Sequence, residues 1–122
     1  MSEVVTALAD ALAFGDTLVI VRAGAAIAEV AGGPLRRGEE WLTLGDEGAG
    51  ASHVHLRIAD VQAIRYRQAE GRSAALDVLD ANGAVIVSIA FRRTNPARAE
   101  TFDAERLAAI GARFGRRGEV PA

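Results

Sequence analysis

Apolar positions along the chain fall into two periods. Near the start, Val5, Leu8 and Leu12 recur at helical spacing, flanked by Val4 and Ala11, with Ser2 placed to cap the helix and Gly15 placed to end it. This predicts a short amphipathic helix over 2–14. From Asp16 the period shortens. The runs "TLVIVRAG" and "AAIAEVAGG" are β-branched or apolar and bounded by glycine, which predicts two strands forming a hairpin. "WLTL" at 41–44 reads as another brief strand and "GDEGAGAS" after it as a flexible connection, with further strands expected over 53–58, 62–68, 73–79 and 84–92.

Side chains alternate across a strand, so in "ASHVHLRIADVQAIRY" (51–66) His53, His55 and Arg57 share one face, while Val54, Leu56 and Ile58 take the other. The Asn-Gly of "DANG" accepts positive φ at both residues and predicts a tight hairpin. Register across that turn puts Leu76 and Val78 on the same face as Val85, Val87, Ile89 and Phe91, with Ala75, Asp77, Ser88 and Ala90 opposite. The first face is core. The second is small and partly polar, suited to a ligand, a second sheet or a neighbouring subunit. In "TNPARAETFDAERLAAIGARFG", Asn95-Pro96 gives a cap followed by the first helical position, and Leu107, Ile110 and Phe114 form an apolar stripe that Gly115 stops. Helix, meandering strands, helix: the pattern predicts an α+β fold with an antiparallel sheet, one domain over 1–115 and a polar, fraying tail over 116–122.

The length fits this. At 122 residues a chain buries roughly two thirds of its unfolded surface in one core. A formal net charge of −2 argues against the cationic surface that a phosphate backbone requires, so nucleic acid is not expected as a partner. There is no cysteine, hence no disulfide framework, thiolate metal site or cysteine nucleophile. No run approaches the roughly 20 apolar residues that span a bilayer, and the first cationic side chain is Arg22, so a cytoplasmic protein without a membrane partner is expected. All 14 basic residues are arginine, a composition that covers surface and also supplies forks for carboxylate or phosphate.

Three readings of the histidine face stand side by side. As a metal site, His53 and His55 lie close enough to converge on one ion, but zinc needs further ligands, and only Asp77 or Glu40 could be brought in by the fold. As a cofactor site, the face could serve haem, which needs an axial donor and cations for its propionates: His53, His55 or Tyr66 as donor, and Arg37, Arg57, Arg65 and Arg67 as cations. As plain structure, the imidazoles are surface groups with local hydrogen bonds, Tyr66 packs in its strand, Trp41 anchors the core or an interface, and "LRRGEE" is a solvated turn whose arginines could guard a cleft. No G-x-G-x-x-G or G-x-S-x-G occurs, and no spacing assembles a hydrolase triad.

The stretch "HVHLRIADVQAIRYRQAEGRSAALDVLDANGAVIVSIAFRR", followed by "AETFDAERLAAIGARFG", resembles the haem-utilisation domain of the HemS and ChuX type in the order of its strands, the hairpin at "VLDANG" and the closing helix. The resemblance covers residues 41–115. It implies a curved antiparallel β-sheet meander with an N-terminal and a C-terminal helix, used in intracellular binding, trafficking or storage of haem. Because larger relatives carry two copies of the unit, it also implies a homodimer. The alternative is a non-catalytic dimeric assembly or regulatory domain of the same fold that has lost its cofactor. Haem degradation with an external electron donor is the enzymatic version.

Overall fold

The computed structural model describes residues 2–46, 48–115 and 119–121, without the side chains of Ser2 and of 119–121. Helix α1 (Ser2–Ala13) buries Val4, Ala7, Leu8, Ala11 and Leu12; Leu8 and Leu12 of the predicted stripe are buried with the flanking Val4 and Ala11, while Val5 is only half-buried. Gly15, at φ +71°, ends it as expected, its N–H donating to the Leu12 carbonyl at 3.0 Å. The cap expected of Ser2 rests on a side chain outside those described.

Nine strands follow among the described residues, all paired antiparallel, and the α+β class holds. They are divided between two sheets. The larger has the order β2-β1-β8-β7-β6-β9, with β1 (Thr17–Ala23), β2 (Ala26–Ala31), β6 (Ala63–Arg67), β7 (Ala75–Leu79), β8 (Val85–Phe91) and β9 (Glu119–Pro121). The smaller is β3 (Leu35–Arg37), β4 (Trp41–Gly45) and β5 (His53–Arg57). Two of these strands fall where none was expected. Leu35–Arg37, read as part of a turn, pairs with Leu42–Leu44, and Glu119–Pro121, in the stretch expected to fray, pairs with Ala63–Arg65.

The 80–84 hairpin forms with the register read from the sequence over most of its length: Leu76 faces Ile89, Val78 faces Val87 and Asp77 faces Ser88. An irregularity between Val78 and Leu79 then sets Val85 opposite Leu79, out of step with the buried row. Helix α2 (Ala104–Phe114) buries Ile110 and Phe114, with Leu107 half-buried beside them. Its cap is Asp103, whose Oδ1 accepts from the Arg106 N–H at 3.0 Å, not Asn95. Asn95-Pro96 opens a turn instead, with Asn95 Oδ1 accepting from Ala97 N–H at 3.0 Å.

Both helices and the inner faces of both sheets meet in one core. Leu42, Leu44 and Leu56 come from the small sheet, Val19, Ile64, Leu76, Val78, Val87, Ile89 and Phe91 from the large one. Phe14, Phe91 and Phe114 pack ring to ring with centroids 5.8–6.0 Å apart. Each fully buried side chain of the core, Phe91 and Phe114 among them, contributes on the order of 1.5–3 kcal/mol. No helix among the described residues is long and apolar enough to cross a membrane. The consequence for function is positional: burying Leu42, Leu44 and Leu56 turns the alternate residues of β4 and β5 outward.

Candidate functional site

The outward row is set by register. Thr43 sits between Arg36 on β3 and His55 on β5; Trp41 faces Arg57; Gly45 faces His53. His53, His55 and Arg57 are therefore on one exposed face, as the alternation predicts. The imidazoles are neighbours, their ring centroids 4.7 Å apart, and the Trp41 ring lies 6.4 Å from that of His55. The Arg57 guanidinium covers the Trp41 ring at 4.6 Å and reaches Asp60 at 3.6 Å. Trp41, expected as a core or interface anchor, is 39 % exposed and stands outside the core cluster as a wall of this face.

Hydrogen bonds orient both rings. His53 Nδ1 lies 3.0 Å from the Asp46 carbonyl. A carbonyl can only accept, so Nδ1 carries the proton, and a neutral His53 presents its lone pair at Nε2. That arrangement, one ring nitrogen tied to a carbonyl and the other open, is the usual one for a metal-ligating histidine. His55 Nδ1 meets Thr43 Oγ1 at 3.0 Å. A hydroxyl either donates or accepts, so this bond holds the ring in place while allowing both tautomers. Gly45, at φ +117°, makes room for His53: a Cβ there would stand 2.6 Å from the Ser52 carbonyl and 2.9 Å from His53 Cα.

Beside His55 the surface opens into a hollow of about 510 Å³ lined by Arg36, Arg37, Gly38, Trp41, Thr43 and His55. It offers an aromatic wall, an imidazole and two guanidinium groups, with Arg57 behind Trp41. Of the candidate residues, His53, His55, Arg37 and Arg57 thus gather on the small sheet. The other three lie on β6 of the large sheet. Tyr66 stacks on Phe114 at 6.3 Å and donates to Gln68 Oε1 at 3.1 Å, and burial raises its pKa. Arg65 and Arg67 turn to Asp77, at 3.7 and 2.8 Å. Asp77, a possible metal ligand by sequence, is only 1 % exposed and is held by Arg67 and Ser88. No group of three or more metal-ligating side chains occurs among the described residues.

The arginines of "LRRGEE", expected in a turn that could guard a cleft, do line the hollow, but Arg36 reaches it from strand β3; Thr43 goes unnamed in the sequence because no chemistry marks a lone threonine. The signal for Thr43 was the alternation of "WLTL" itself, which buries the leucines and turns Trp41 and Thr43 toward the histidines.

A search of curated proteins finds no match to the sequence. The family model for haem utilisation, ChuX/HutX, matches residues 1–105. The match takes in α1 and the first hairpin, which the resemblance over 41–115 left out, and ends just inside α2. On a match of this extent, the chain belongs to the ChuX/HutX haem-utilisation family.

Proposed function

We propose that the protein is a cytoplasmic haem-binding protein, used in haem trafficking or storage, and that the outward face of β3-β4-β5 is its binding surface. The observation that carries this is the oriented imidazole pair beside an aromatic-walled, arginine-rimmed hollow. Haem asks for those three things: a neutral nitrogen donor, an apolar plane to lie against and cations for two propionates. His53 and His55 would supply the donor, Trp41 the apolar wall, and Arg36, Arg37 and Arg57 the charge. Family membership supports the ligand, and the side chains support the place.

Haemin titration followed by absorbance tests it, with quenching of the single tryptophan, Trp41, as a second readout. A saturable one-to-one change is expected, abolished in the His53→Ala, His55→Ala double variant and retained in Tyr66→Phe. Both histidines are exposed, so the double variant should fold normally. Absence of saturation in the unaltered protein, or equal affinity in the double variant, would overturn the assignment.

The second reading, a homodimeric assembly domain without cofactor, draws on the outer face of the large sheet. There Ile27 is 60 % exposed, and Leu18, Ile20 and Ala90 stay half-buried outside the core cluster. A dimer that takes up no haemin would favour it.

A further inference from the structure

The all-arginine composition is not used up by the histidine face. Four of the 14 basic residues, Arg72, Arg92, Arg93 and Arg98, line a separate hollow of about 530 Å³ at the end of the large sheet. Its walls are the loop entering β7 and the segment leaving β8, tied together by Asn95 Nδ2 donating to the Gly71 carbonyl at 3.1 Å. Like charges gathered around one cavity repel unless something neutralises them.

Here the neutralisation is partial. Arg93 adopts φ +62°, a conformation that L side chains rarely take, and in it bridges Asp16 at 2.7 Å and Asp103 at 3.3 Å. Arg92 shares Asp16 at 3.3 Å. Arg72 and Arg98 have no ion pair among the described residues, and Glu29 is the one carboxylate in the lining. Arg92 and Arg93 are thus offset by Asp16 and Asp103, so the positive excess in the lining is that of Arg72 and Arg98 against Glu29, and Ser73 adds a hydroxyl.

We propose that this hollow binds a compact oxyanion, a phosphate group or a pair of carboxylates on a small molecule, gripped by Arg72 and Arg98 with Arg92 supporting. Planar forks with paired N–H donors match the oxygens of either group and bind them bidentately. Arg93 is a positioning residue, holding the segment that carries Arg98. The site does not depend on the histidine face.

Calorimetric titration of the full chain with pyrophosphate and with succinate, at about 20 mM salt to limit screening, tests the proposal. Saturable binding of at least one is expected, weakened about ten-fold or more in the Arg72→Ala, Arg98→Ala variant, whose melting temperature and haemin titration stay unchanged. Pyrophosphate alone would identify a phosphate-bearing ligand, and succinate alone a dicarboxylate. Failure of both to saturate would overturn the proposal, as would unchanged affinity in the double variant or an equal loss in Arg22→Ala, which removes a charge outside the hollow.

Discussion

Thr43 Oγ1 meets His55 Nδ1 at 3.0 Å across the β4–β5 pair, on the face that the buried leucines of β4 turn outward. The bond fixes a ring that has few other constraints on an exposed surface. Thr43→Val preserves shape and removes the hydroxyl. Under the haem assignment it should weaken haemin binding roughly ten-fold, the low end for loss of a partner that orients a ligating histidine, with little change in melting temperature. Absorbance titration beside thermal unfolding checks both halves.

Asp77 governs acid stability. Its burial alone would raise the pKa, but hydrogen bonds from Arg67 and Ser88 and the charges of Arg67 and Arg65 outweigh that and hold the carboxyl below the usual carboxylate range. A carboxyl with a lowered folded-state pKa contributes stability that is complete above its unfolded value, near 3.8, and lost as pH falls through the folded one. Denaturant unfolding of Asp77→Asn at neutral pH should show a loss of about 2–4 kcal/mol. As pH falls from about 4 toward the lower folded-state value the difference from the unaltered protein should narrow, because Asp77 protonates first in the unfolded state and only later in the folded one.

Arg106 ties the two helices together. From the first turn of α2 it donates to the carbonyls of Phe14 at 3.3 Å, Gly15 at 2.6 Å and Asp16 at 3.0 Å, and to Arg92 at 2.7 Å. The Phe14 carbonyl adjoins the C-terminal end of α1, where backbone acceptors lack helical donors. Arg106→Ala is expected to cost about 2–3 kcal/mol in denaturant unfolding, and Arg106→Lys to recover only part, since an ammonium cannot reproduce the fork.

Gly45 offers a steric test of the histidine face. With φ +117° and a carbonyl 2.6 Å from where a Cβ would stand, Gly45→Ala should destabilise by about 1–3 kcal/mol and disturb His53. Gly48→Ala, where a Cβ meets nothing within 4 Å, should be close to neutral. Thermal unfolding of the pair, with histidine ring resonances as the local reporter, separates the two cases.

What the sequence revealed and what it hid follow one line. Alternation at 53–58 placed His53, His55 and Arg57 together because one residue's step along a strand fixes its face. Nothing comparable ranks arginines: Arg65 and Arg67 alternate as cleanly as Arg57, and only the pairing of β6 with β7 reveals that a buried Asp77 takes them. β3 was lost because three residues show too little period, so the arginines of "LRRGEE" could be set at a cleft but not on a strand beside Thr43. Asn95-Pro96 carries a strong local signal for a helix start, yet Asp103, eight residues on, caps the helix that packs. Local chemistry proposed a terminus, and the apolar stripe of Ile110 and Phe114 chose another.

Strand β1 lies between β2, which follows it directly, and β8, which is synthesised some 70 residues later. Until Val85–Phe91 arrives, the first hairpin is a two-stranded ribbon with a bare inner edge, a form that is marginal in water. Enclosure of β1 thus waits on a strand far along the sequence, a contact of long separation whose loop-closure cost slows folding. The distant partner, not the adjacent one, decides when β1 is enclosed on both edges.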